Sequence, residues 1–129
     1  MGTDIHWFVE RYDQDEDEWA LLDGTVPLMG KPESPMVYDG RNYDLFGKLG
    51  WAKNRTKDSV DLRGLPIDVS PITQACAEIS GADGIDHSWI SIEDLGPFAD
   101  SDPRLREALD AAYRVAHGSA LRIVYWFDR

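Results

Sequence analysis

The segment that most constrains the fold is "ALRIVYWFDR", residues 120–129. It is nearly continuous in β-branched and aromatic residues, which favour a strand. Alternation sorts it into Leu121, Ile123, Tyr125 and Phe127 on one face and Arg122, Val124, Trp126 and Asp128 on the other. Both faces are largely apolar, so this strand needs cover on both sides and belongs in the interior of a sheet. Near the other end of the sequence, "DIHWFVERY" at 4–12 also alternates. Ile5, Trp7 and Val9 form its apolar side, and Asp4, His6, Phe8 and Glu10 the opposite one. "EWALLDG" at 18–24 reads as a hairpin partner, and the acidic run "DQDEDE" at 13–18 supplies a solvated turn.

Helices are marked by their ends. Asp102 can cap and Pro103 open a helix that carries Leu105, Leu109, Ala112, Tyr113 and Ala116 on one side and stops at Gly118. Its last turn holds His117, a favourable place for a cation. Ser70, Pro71 and Gly81 frame "SPITQACAEISG" in the same way. Asn42 can cap a short helix through Tyr43, Leu45, Phe46 and Leu49. Ser91 and Asp94 form a variant capping box. "TVPLMGKPESPMVYDG" at 25–40, residues 51–69 with the turn "RGLP", and "GADGIDH" read as loops. These signals predict an α+β fold: one domain over 1–129, an antiparallel or mixed sheet, helices mainly on one face, and the first hairpin beside the last strand. Ile5, Trp7, Leu109, Tyr113, Ile123 and Tyr125 are the expected core.

Composition narrows the function. The chain has 129 residues, a net charge of -11 and a single cysteine, Cys76, expected to be a buried free thiol. Lys and Arg on phosphates drive nucleic-acid affinity, so general DNA or RNA binding is not expected. No apolar run is long enough for a membrane span, and no signal-peptide pattern opens the chain, so a cytoplasmic location is expected. No serine-hydrolase elbow, Walker loop, GxGxxG or Cys pair occurs.

Three polar clusters remain. Asp4 and His6 stand two apart on a strand, about 7 Å by strand rise, and so can share an ion. With His87 they form a candidate metal set, and a divalent metal is the candidate cofactor. Glu10 or Asp128 would then act as base or further ligand. "DIH" resembles the DxH opening of calcineurin-type metallophosphoesterases, but the downstream blocks of that family are missing. The second cluster, Tyr38, Arg41, Asn42 and Tyr43, sits where a loop becomes a helix. Free amides and an Arg fork there suit an anion, and the tyrosines suit a base or sugar. The third is "DHSW", in which His87 is a candidate ligand or base beside Trp89.

Taken together, "MGTDIH", "YDGRNYDLF", "RGLP", "HSW" and the closing "RIVYWFD" resemble, in order and over most of the chain, a family of small uncharacterised phage, prophage and bacterial proteins. The family carries no assigned activity, so the resemblance transfers no catalytic role. It implies a phage-linked accessory protein acting in the host cytoplasm. The favoured expectation is a binding module for a small anionic, nucleotide-like ligand or for a host or defence protein. A metal-dependent hydrolase using Asp4, His6 and His87 is one alternative. An acidic inhibitor or nucleic-acid mimic is the other.

Overall fold

A computed structural model describes residues 2–22, 36–116 and 118–128. Strands β1 (Ile5–Asp13), β2 (Glu18–Leu21), β3 (Gly84–Ser91) and β4 (Leu121–Asp128) form one antiparallel sheet in the order β2-β1-β4-β3. The helices are α1 (Tyr43–Lys48), α2 (Pro71–Ser80), α3 (Ile92–Leu95) and α4 (Pro103–Ala116). This is the expected α+β class. β4 is interior, as its two apolar faces require, and β1 lies beside it with Ile5 opposite Phe127 and Glu10 opposite Arg122. Among the described residues, no helix is long and apolar enough to cross a membrane.

The first face of the sheet carries Trp7, Val9, Ile123, Tyr125, Phe127 and Ile90. Residues of α1, α3 and α4 complete this main core. Helix α4 contributes Leu105, Ala108, Leu109, Ala111, Ala112 and Ala116. Four of these are alanines, which let the helix lie close to its neighbours. Tyr113 does not join them: at 39% exposed it lies outside the core, because the buried stripe is turned toward those alanines. Tyr125 sends its hydroxyl to the Leu49 carbonyl at 2.7 Å, and burial pushes its phenol up to about 12.

The second face holds a smaller cluster of Phe8, Val124, Trp126 and Ala77, joined by Leu65, Trp89 and the half-buried Cys76. Helix α2 and the "RGLP" turn supply the cover here. Pro71 opens α2, the Ser70 side chain accepts from the Thr73 amide, and Gly81 takes a left-handed φ of 52° at its end. The turn also protects the outer edge of β3: the Gly64 amide donates to the His87 carbonyl at 3.0 Å, and the Arg63 amide to Ser88 Oγ at 3.0 Å. An edge engaged in this way is a poor template for another chain.

The residues "GADGIDH" depart from the expected loop. Gly81–Asp83 is a 3-10 turn, and Gly84 through His87 belong to β3. The register of β3 against β4 shifts between Ile85 and Ser88, and Asp86 adopts φ 57°. Turn-type letters therefore mark a β-bulge inside a strand. Residues 25–35 of the expected first loop, positions 23–24 of the hairpin arm and His117 lie outside the described residues. The part of that loop that is described, Met36 and Tyr38, packs on the main core and not on the second face.

Asp102 caps α4 by accepting from the Leu105 amide through Oδ1. Its Oδ2 takes the Tyr38 hydroxyl at 2.7 Å and Asn42 Nδ2 at 3.0 Å. Burial alone would raise this carboxyl, but the bonds from Tyr38, Asn42 and the backbone outweigh it and hold it below 3.8. A folded-state value under the unfolded one means stability that is complete above 3.8 and lost as pH falls through the folded value. Asp102→Asn, which keeps the cap oxygen, removes this contribution. The stability gap between wild type and Asp102→Asn, followed by urea unfolding across acid pH, is expected to stay constant above this range and narrow below it. A gap independent of pH would show that Asp102 does not fold as a hydrogen-bonded carboxylate.

Candidate functional site

The start of β1, the end of β4 and the start of β3 lie at the same end of the sheet. Asp4 immediately precedes β1, and its Oδ1 accepts from Arg41 Nε at 2.7 Å. Both side chains are about half exposed. The Arg41 bond, against a smaller opposing effect of burial, holds the Asp4 carboxyl below its ordinary value, and the charge of His6 adds to the lowering. His6 Nε2 meets Asp128 Oδ1 at 2.5 Å. Asp4 contributes most to the rise of the Arg41 guanidinium, and Asp128 adds to it. Asp4, Arg41, Asp128 and His6 thus form one polar group, drawn from the start of β1, the loop before α1, and the end of β4.

Close approach of the backbone builds part of this site. A Cβ on Gly2 would stand 2.6 Å from Arg41 Nη1 and 2.9 Å from Tyr43 Oη, so a larger residue there would push these two side-chain ends aside. The next amide, that of Thr3, donates to Tyr43 Oη at 3.3 Å. Tyr43 is 37% exposed, and its ring rests on Phe46 and Trp51.

Trp126 is the floor of the site. His6, directly opposite it on β1, stacks on its indole at 5.4 Å and 14°. Phe8 stacks at 4.9 Å, and His87 from β3 at 5.3 Å. Indole Nε1 donates to Ser80 Oγ at 3.1 Å. The bulge that displaces Asp86 also sets His87 against this ring. Burial pushes the His87 imidazole below its ordinary value; Asp86 opposes the shift and His6 adds to it.

The sequence-derived candidates therefore divide. Asp4, His6, Arg41, Tyr43, His87 and Asp128 share this end of the sheet. Tyr38 and Asn42 turn to Asp102 at the start of α4, and Tyr38 is only 2% exposed. Trp89 lies one step further along β3, between Arg63 at 4.5 Å and Arg122 at 5.8 Å. Glu10 is fully buried in an ion pair with Arg122, which removes it as a solvent-facing base. Among the described residues, no three His, Cys, Asp or Glu side chains are grouped to hold a metal ion. Asp4 is committed to Arg41 and His6 to Asp128, while His87 reaches the site across Trp126.

One contribution escapes motif reading. The segment that begins with Arg41 continues through Lys48, Lys53, Arg55 and Lys57, all exposed, with Asp44 the only acid among them before Asp58. In a chain of net charge -11 this local reversal of sign is the signal that would have found it. Asp86 ties the segment to the start of β3, accepting from the Ala52 amide at 2.9 Å and facing Arg55 at 3.8 Å. Comparison with protein-family models, with curated proteins and with solved structures finds no match to this chain.

Proposed function

We propose that the protein is a binding module for a small anionic, nucleotide-like ligand taken at the Arg41 end of the sheet. The resemblance of its motifs to phage and prophage proteins supports an accessory role inside a host cell. The observation that carries the binding role is the placement of Arg41. Its guanidinium is half exposed and meets Asp4 through Nε. An exposed pair of this kind contributes roughly 0–1 kcal/mol to stability, so folding is a weak reason for it. The planar fork of arginine, in contrast, matches the oxygens of a phosphate or carboxylate in two parallel bonds. Asp4 holds the fork in place until a stronger anion displaces it. Arg55 and Lys53 add positive charge along the same segment, and Tyr43 offers an aromatic surface beside it.

Thermal unfolding with inorganic phosphate, AMP and ATP tests this reading. A ligand present at a hundred times its dissociation constant stabilises the native state by about 2.7 kcal/mol. The wild type is expected to melt higher with at least one of these anions. Arg41→Gln is expected to abolish the shift and to leave unliganded stability within about 0.5 kcal/mol of wild type, as for an ordinary surface change. Absence of any shift, or a shift that Arg41→Gln retains, would overturn the assignment.

A further inference from the structure

We infer that the same site is catalytic, with His6 as general base and Asp128 as its positioning carboxylate, acting on a phosphate ester held by Arg41. The inference rests on the anion-binding reading above and extends it from binding to hydrolysis. Its basis is the state of the His6 ring. A carboxylate only accepts, so the 2.5 Å contact with Asp128 Oδ1 places the imidazole proton on Nε2. Nδ1 is then the basic nitrogen, and among the described residues it has no protein partner. The side chain is 35% exposed, so water and substrate have access to it. Stacking on Trp126, itself fully buried, fixes the plane of the ring. A surface His–Asp pair kept only for its charge needs no such clamp. An imidazole with a carboxylate on one nitrogen, a fixed plane and an open second nitrogen is arranged to take a proton.

The anionic group of the substrate is supplied by the same cluster. The Asp128 amide donates to the Asp4 carbonyl at 3.1 Å, and the Asp4 carboxylate holds Arg41 through Nε at 2.7 Å, so the fork and the dyad adjoin. An ester phosphate on the Arg41 fork therefore lies beside the dyad. In the reaction, a water oxygen forms a bond to phosphorus as the bond from phosphorus to the ester oxygen breaks. The water proton passes to His6 Nδ1. The ester oxygen leaves with the bonding pair and takes a proton from solvent, and His6 Nδ1 returns its proton to solvent, which restores the dyad. Asp128 stabilises the imidazolium that forms and keeps the productive tautomer before it does. Water is the only co-reactant.

Release of nitrophenolate from bis(p-nitrophenyl) phosphate and from p-nitrophenyl phosphate tests the step on the purified full chain, with EDTA present. The wild type is expected to turn over one of the two. His6→Ala is expected to lower kcat by about 10²–10⁴-fold, the usual range for a positioned base. Free imidazole should restore part of that loss, which a structural role would not allow. Asp128→Asn is expected to lower kcat with KM unchanged, and Arg41→Gln to raise KM. Turnover that survives His6→Ala, or that EDTA abolishes, overturns the dyad. No turnover, combined with an Arg41-dependent thermal shift by phosphate, overturns catalysis and leaves binding intact. Neither turnover nor shift overturns both.

Discussion

Glu10→Ala is expected to destabilise the protein by about 3–5 kcal/mol, the range for removing one partner of a buried ion pair. Glu10 is 0% exposed and Arg122 is 3% exposed. Glu10 Oε1 lies 2.7 Å from Arg122 Nη2 and 2.9 Å from Nε. The other oxygen accepts from the amide of Ser70, the cap of α2. Among the described residues, alanine leaves the guanidinium hydrogen-bonded to Asp68 alone, through Oδ1 at 2.9 Å and its carbonyl at 3.2 Å, and it strips the helix cap of its anchor. The indole of Trp19 covers the guanidinium at 4.0 Å. Urea unfolding with an unchanged denaturant slope is the measurement. The double change Glu10→Met with Arg122→Met is expected to recover much of the loss, since no unpaired charge then remains inside. A loss under about 1 kcal/mol for Glu10→Ala would mean that the pair is open to solvent.

Trp126→Ala is expected to cost about 3–5 kcal/mol, the usual range for deleting a buried tryptophan side chain. The indole is 0% exposed, and it touches rings from both neighbouring strands as well as Ser80 of α2. No neighbour fills so large a void without breaking the sheet register, so the cost should fall high in that range. Against a typical domain stability of about 5–15 kcal/mol, a loss of this size is a large fraction of the whole. Trp126→Phe retains part of the stacking surface and should lose clearly less. Equal losses for the two variants in thermal and urea unfolding would show that the indole hydrogen bond, and not the packed area, is what matters.

Some of this molecule is legible in its sequence because the relevant physics is local. Capping residues announce α2 and α4, since orphan amides of a helix start must be met by nearby side chains. The apolar character of both β4 faces announces its interior place. Tyr113 misleads because its spacing from Leu109 fits a helix face, while the true seam is set by small alanines that carry little hydrophobic signal. The start of β3 misleads because Gly84 and Asp86 are turn-forming types, and only pairing with β4 reveals a bulged strand. The group of Asp4, Arg41, His6 and Asp128 is half legible. Strand alternation puts Asp4 and His6 on one side, but the choice of partners depends on contacts across 37 positions for Asp4 with Arg41 and 122 for His6 with Asp128. The same holds for Glu10: nothing near it in sequence indicates that Arg122 neutralises it. Tyr38 and Asn42 stand beside Arg41 in the chain and turn elsewhere, because the cap of α4 competes for them.

The central pairing of the sheet has a kinetic consequence. Ile5 lies opposite Phe127, so the two interior strands come from regions that are remote along the chain. The β1–β2 hairpin and the step from α4 into β4 are local and cheap to close. The β1–β4 ladder is not, because its loop-closure entropy must be overcome before any of its contacts form. Until that ladder zips, β1 and β4 each present an unpaired edge rich in aromatic residues, and Arg122 and Glu10 remain separate charges in water. Closing the β1–β4 ladder is therefore the step expected to be slowest in folding, and the one at which encounters between unfinished chains compete with it.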